Sequence, residues 1–474
     1  MFSITSNHLQ QKLLLAVIAI GMFLDGLDGS IVTIILPQIS KSFDTDIGSV
    51  SWVIITYLLM MAGLILIIGK TAERGHIRKV FLLGLCVFVL GSAVCGFSPN
   101  LEILLGSRII QGIGAAMIAA TAILVCVTYL PKEMLGTALG TISMSVSIGV
   151  AAGPAIGGFI SQYLSWNWAF LINIPIGIGI MFLAWYVIPP DTKRDNHSFD
   201  IPGAALLFGL MASGVYVLER VPHLGIADVQ IIICSVFCMI CLILFLIRER
   251  ICQVPLIHLR VFSTWEFTAT LITFLLFACV YMGVIYLLPF FLLAGMEYDP
   301  VISGLYLLIP PVVTAIIGIP MGSWSDRIGR RPFAIAGSLL VIAVTGIFML
   351  INPEKGFIPL LLGLLFMGFF QGCSGGPVAS RVVETAPRGE EGTGSSLMVT
   401  AMYLGCVIGT ALFASFFTMG TATKREIAFS DLDPGLFMQG FHTSMTVGLI
   451  LSVIALVLSA LVREKKNRSQ SKKE

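Results

Sequence analysis

Asp25 and Asp28 stand three residues apart in a long apolar run and so share one face of a helix. A later apolar run holds Arg108, with Gln111 three residues on. Ionisable side chains are costly inside a membrane and mark ion or substrate pathways there. Desolvation favours a protonated carboxyl, and a nearby guanidinium favours an ionised one. A carboxyl balanced between the two gains and loses a proton as a cavity opens to either side. Asp25 and Asp28 are therefore the candidate proton-coupling residues, with Arg108 as countercharge. Two acids this close titrate as a coupled pair. The plainer reading is a structural ion pair, or polar groups satisfied by helix backbone.

Such a site needs membrane helices to hold it. Of the 474 residues, 57% are hydrophobic and 11% charged, and mean hydropathy is +0.96. Soluble domains carry about 25% charged residues, so lipid is the expected solvent. Apolar runs of about 20 residues occur near 13–37, 48–69, 79–97, 101–130, 137–163, 167–188, 202–220, 229–247, 267–294, 301–323, 332–351, 357–379, 394–419 and 441–462. That is a count of fourteen. With the N-terminus inside, the inner loops and tails hold roughly 22 basic residues and the outer loops roughly 5. Both termini are therefore expected in the cytoplasm, including the basic tail from Arg463 to Arg468. The first run lacks a small-residue cleavage site and is expected to be a retained helix.

The net charge of +2 reflects topology and suggests no nucleic-acid partner. The ten Cys are scattered and no C-x-x-C occurs, so neither disulfides nor a metal site is expected. No cofactor is expected; a proton gradient would supply the energy.

A polar loop occurs twice between apolar runs. One copy is Gly69-Lys70-Thr71-Ala72-Glu73-Arg74, the other Gly322-Ser323-Trp324-Ser325-Asp326-Arg327-Ile328-Gly329-Arg330-Arg331. A repeat of this kind implies two related halves about a central site. In the fifth run Gly149, Gly153 and Gly157 recur every fourth residue, with Pro154 and Gly158 beside them. That makes a flat face for a close helix neighbour and a bend at the proline. Gly405 and Gly409 form a lesser version in the thirteenth run.

On these residues the chain resembles the major facilitator superfamily, and within it the fourteen-helix drug:proton antiporters. The 322–331 loop is similar to the family's G-x-L-a-D-R-x-G-R signature, with Trp324 at the Leu place. The 69–78 loop departs from it, with Glu73 for Asp, Thr71 for Leu and His76 for the second Gly. Arg108-Ile-Ile-Gln111-Gly112-Ile-Gly114-Ala115-Ala116 resembles the R-x-x-Q-G-x-G-A-A motif of helix 4, and Gly149–Gly158 the antiporter motif of helix 5. Leu27 to Pro37 resembles the L-D-x-T-I-V-N-V-A-L-P signature, with Thr33 for Asn and Asp25 outside it. Trp166 to Gly177 resembles the W-R-W-x-F-x-I-N-x-P-x-G start of helix 6, with Asn167 for Arg.

The resemblance implies an all-α membrane fold of two six-helix bundles, 1–190 and 266–463, around two inserted helices in 191–265, with a basic tail at 464–474. Linkers Asp191–Ser198 and Arg248–Glu266 would bracket the insertion, the second with a short surface helix. Gly69, Glu73, Arg74, Gly322, Asp326, Arg327, Gly329 and Arg330 would form gating loops. In them Glu73 and Asp326 would stabilise a closed state by charge–dipole and charge–Arg contacts. The helix 5 glycine face would pack on helix 10.

The function it implies is proton-coupled antiport that exports amphipathic or cationic drugs, by a monomer in the cytoplasmic membrane. Candidate cavity residues are Phe23, Tyr57, Met61, Tyr281, Tyr286 and Tyr403, with Met60 and Phe290. An alternative is a dedicated exporter of one metabolite, lipid or siderophore. A membrane-embedded enzyme or receptor is more remote. There is no H-E-x-x-H, and the stretch from Gly63 to Gly69-Lys70-Thr71 is one residue too long for a phosphate loop.

Overall fold

The computed structural model describes residues 8–72, 75–191, 200–252, 255–352, 357–387, 389–421, 429 and 432–462. Among them, fourteen helices are long and apolar enough to cross a membrane. They are α1 (His8–Ser42), α2 (Ile47–Ala72), α3 (Ile77–Gly96), α4 (Leu101–Tyr129), α5 (Leu135–Tyr163), α6 (Trp168–Val187), α7 (Ile201–Leu224) and α8 (Val229–Ile251). Then follow α9 (Trp265–Gly295), α10 (Pro300–Ile328), α11 (Arg331–Met349), α12 (Phe357–Thr385), α13 (Glu391–Gly420) and α14 (Pro434–Leu461). The end at which α1 starts and α14 finishes is called the termini end here, and the opposite one the far end.

Several helices outrun the apolar stretches that announce them, because caps and not hydropathy stop a helix. Asn100 accepts from Ile103 N–H to start α4, and Asp433 accepts from Gly435 and Leu436 N–H to start α14. Gly329, at φ +95°, ends α10 five residues past the expected limit of 323. Pro175 lacks the N–H that would bond Leu171 C=O, and α6 breaks there into Trp168–Leu171 and Asn173–Val187. The surface turn in the 248–266 stretch is a 3₁₀ helix, Leu259–Ser263.

Helices α1–α6 and α9–α14 pack as two bundles with matching seams. On α5, Cβ positions at Gly149, Gly153 and Gly157 fall closer than 3.0 Å to α1 atoms of Phe23, Ser30 and Ile34. On α13, those at Gly405 and Gly409 fall as close to Leu275 and Cys279 of α9. Gly112 of α4 meets α2 as Gly368 of α12 meets α10. Small residues let backbones approach where lipid offers no hydrophobic drive between helices. One expectation is corrected here. The stripe at 149, 153 and 157 packs on α1, not on α10; Pro154 and Gly158, on the adjoining face, meet Gly304 and Pro300 of α10.

The α5–α10 seam shows how the bundles stand. At about 100° per residue, Gly136, Gly140, Ser143 and Ser147 share the face of Pro154 and Gly158, and all four are exposed. On α10, Ala315, Gly318 and Gly322 continue the face of Gly304; Ala315 is exposed, and nothing stands within 4 Å of a Cβ at Gly318 or Gly322. The seam is therefore shut at the far end and parted toward the termini. At the far end Val301 N–H also donates to Gln162 Oε1 at 3.1 Å, Phe429 N–H to Thr45 C=O at 3.3 Å, and the Tyr286 hydroxyl to Ile47 C=O. The α2–α13 seam stays in contact, with α7 laid against both helices and α8 packed on α7.

Candidate functional site

The far half of the first bundle encloses a buried polar knot. Arg108 Nη1 donates to Asp28 Oδ2 and to Gln111 Oε1, each at 2.6 Å. Asp28 Oδ1 also accepts from Gln111 Nε2 at 2.7 Å and Asn173 Nδ2 at 2.9 Å. Arg108 Nε donates to Val53 C=O at 2.9 Å. The guanidinium lies 4.2 Å from the Tyr57 ring centre and 5.6 Å from that of Phe170. Gln111 is braced in turn by Ser92 at 2.8 Å. Helices α1, α2, α3, α4 and α6 all contribute, and an ion pair this deep is tolerated because carboxylate and guanidinium are both further hydrogen-bonded, although Asn173 Oδ1 is left without a partner.

Asp25 is arranged differently. Its Oδ1 accepts the Tyr57 hydroxyl at 2.8 Å, and it keeps 8% of its surface accessible where Asp28 keeps none. Tyr403 of α13 lies within electrostatic reach of it from the second bundle. One acid is locked to Arg108; the other has a tyrosine partner and lies within electrostatic reach of the second bundle's Tyr403. Tyr57 joins them, stacking on Arg108 and bonding Asp25.

Of the other candidate cavity residues, Phe23, Tyr281 and Tyr403 are half-buried. Met61 and Tyr286 are fully buried in this arrangement. Helical phase turns Met61 into the first bundle's core, and Tyr286 is part of the far-end closure.

Gly322 faces the open seam, and Arg327 is exposed. Asp326 lies in the last turn of α10, the end at which a helix dipole disfavours an anion. Its contact is with Arg330, at 3.1 Å. Arg330 also pairs with Glu384 of α12 at 2.7 Å, so this loop ties helices of one bundle together. Gly69 sits in α2 near Ala120 of α4. Glu73, Arg74, the 192–198 linker and the 464–474 tail lie outside the described residues.

Asn173 is the functional residue that sequence reasoning passed over. It stood in the quoted helix 6 motif but carried no role until the α6 break turned its amide onto Asp28.

A model of the Major Facilitator Superfamily matches residues 18–410. Among curated relatives, the riboflavin transporter RibZ of Clostridioides difficile is 29% identical over 98% of this chain and 100% of its own length. The putative multidrug resistance protein MdtD of Pectobacterium carotovorum is 30% identical over 84% of this chain and 85% of its own. Among solved structures, a bacterial homolog of the human lysosomal transporter Spinster superposes with TM-score 0.69 at 16% identity, covering 98% of this chain and 100% of that one. The xylose transporter XylE from E. coli gives 0.62 at 15%, covering 96% and 99%. At such identities the structural likeness concerns the fold. Two matched helix bundles, a buried acid–arginine knot inside the first of them, and a family match over most of the length lead to one assignment: the chain belongs to the Major Facilitator Superfamily of multi-pass membrane transporters.

Proposed function

We propose that the chain is a proton-coupled antiporter exporting amphipathic, often cationic, compounds by alternating access. The observation that carries this reading is Asp25, a carboxyl held by one tyrosine hydroxyl, not fully enclosed and within electrostatic reach of Tyr403 of the second bundle, one helical turn from a carboxyl already neutralised by Arg108. A proton and a cationic substrate compete for that single negative charge, so binding one releases the other. The basic-residue bias puts the termini end in the cytoplasm. The parted α5–α10 seam then opens the site inward. Asp28, Arg108, Gln111 and Asn173 would hold the α1 segment in place and set the field around Asp25. Relatives named multidrug resistance proteins support the substrate class.

A second reading is a dedicated carrier of one planar heteroaromatic compound. It is favoured by the riboflavin transporter, which matches this chain over that relative's entire length.

Inverted vesicles with an acidic lumen and a pH dye separate the two. Lipophilic cations should discharge the gradient in wild type, and Asp25→Asn should abolish that discharge. Discharge by riboflavin alone would select the second reading. Full cation-driven discharge by Asp25→Asn would remove Asp25 from coupling.

A further inference from the structure

The inserted helix pair braces the joined α2–α13 seam along its length. Toward the far end, Trp52 Nε1–H of α2 donates to Glu219 Oε2 of α7 at 2.7 Å, and the Ser415 hydroxyl of α13 donates to Leu218 C=O of α7 at 2.8 Å. Farther along α2, the Phe208 ring of α7 fills the place that a side chain at Gly63 would need. The termini end is held by other means, through the chain that leaves α8. Lys70 Nζ, in the last turn of α2, donates to Pro255 C=O at 3.4 Å and to Leu256 C=O at 3.3 Å. Glu249, near the end of α8, accepts Leu256 N–H at 3.3 Å and Ile257 N–H at 3.1 Å. Non-helical backbone beside membrane helices is tolerated where its polar groups are satisfied, and here two charged side chains grip it from opposite sides.

The same segment reaches α13. His258 Nδ1 stands 3.4 Å from Oε1 of Glu390, the residue before α13, and Glu390 Oε2 accepts the Thr393 hydroxyl at 2.9 Å. Leu256 and Ile257 join one apolar cluster with Leu397 and Ala401 of α13, and Leu66 of α2 packs against it. Leu66 and Lys70 of α2 line one cavity of about 150 Å³ with Thr393 and Ser396 of α13, so the two helix ends stand a cavity's width apart. The α5–α10 seam differs: among the described residues nothing stands within 4 Å of a Cβ at Gly140 or Gly318. Symmetric rocking of two bundles would part both seams at the termini end together. Here one is parted and the other shut in the same state. A state open to the far side must shut the termini end of both. The termini end of α2–α13 is therefore shut in this state and shut again in the opposite one.

We infer that the segment 255–258, with the inserted pair behind it, is a strap that keeps the termini end of the α2–α13 seam shut throughout the transport cycle. The bundles then turn about that corner as about a hinge, and the termini-side entrance opens and closes at α5–α10. The inference rests on the alternating-access reading above but uses none of the residues assigned there to coupling.

Distances between spin labels on the full chain in lipid nanodiscs test it. Labels on p-acetylphenylalanine, which spare the native thiols, are placed at Ser147 and Ala315 across one seam, and at Leu66 and Ser396 across the other. Samples are compared at high and low pH, with and without tetraphenylphosphonium. The Ser147–Ala315 pair should show two distances whose shares change with conditions. The Leu66–Ser396 pair should keep one distance throughout. Lys70→Glu replaces the ammonium by a carboxylate that repels the two carbonyls, and should add a second, longer Leu66–Ser396 distance. A Leu66–Ser396 distance that lengthens in step with Ser147–Ala315, with the strap intact, overturns the inference and leaves alternating access standing. So does a Lys70→Glu variant in which the Leu66–Ser396 distance is unchanged. If neither pair changes with the strap intact, the alternating-access reading falls, and the inference with it.

Discussion

Arg108 is held by a carboxylate, an amide oxygen, a backbone carbonyl and two aromatic faces, all within one bundle. Removing its countercharge is therefore a structural insult. Asp28→Ala should cost about 3–5 kcal/mol by stranding a buried guanidinium, read as a lower Tm of the purified protein. Asp25→Asn keeps an oxygen for the Tyr57 hydroxyl and should cost about 1 kcal/mol or less. Its Tm should stay close to wild type while gradient discharge is lost. Equal stability losses in the two variants would undo the division of labour between these acids.

At the scale of the helices, the glycine stripe on α5 is the contact surface for α1, the helix that carries both acids. A side chain at Gly153 would collide with Ser30 and Ile31, and Ser30 Oγ already donates to Gly149 C=O at 3.3 Å. Gly153→Val should therefore destabilise by about 1–3 kcal/mol through overpacking. It should also displace α1 and impair transport. Gly140→Val, on the parted α5 face with nothing within 4 Å, should leave Tm near wild type. Thermal melts of the two variants make the comparison, and a tolerated Gly153→Val would contradict the close α1–α5 seam. The matching Gly405–Gly409 stripe on α13 holds α9 in the same way, which is the repeat expressed as packing.

For the whole molecule, the two inter-bundle seams are unequal. The α5–α10 seam is a V open toward the termini, while α2–α13 remains joined and buttressed by α7. At the termini end of that joined seam Lys70 Nζ donates to Pro255 and Leu256 C=O at 3.4 and 3.3 Å. Beside it lies a cavity of about 150 Å³ lined by Leu66, His258 and Thr393 among others. Cysteines placed at Ser147 and Ala315 should react with a membrane-impermeant maleimide from the termini face above the background of the native thiols. From the far face they should not. Labelling from the far face in the resting protein would show the gate open and the described state not dominant.

Much of this is legible in the sequence alone. The count of membrane helices, the doubled loop, the small-residue stripes and Arg108 as countercharge to the two α1 acids follow from hydropathy, spacing and charge scarcity, which are local properties of the chain. Those quantities state what a helix face is made of, not which neighbour it meets. Hence the glycine stripe was expected on α10 and lies on α1, and Met61 and Tyr286 were expected at a cavity and lie in packed interior. Asn173 reaches Asp28 across 145 residues of chain, and Trp52 reaches Glu219 across 167, separations over which no sequence period carries information. The sequence by itself therefore determined that charges would be few, buried and matched. Only the tertiary structure decided which acid is locked, which is accessible and which helices close the far end, because helix rotation and bundle tilt are settled by packing between segments remote in sequence.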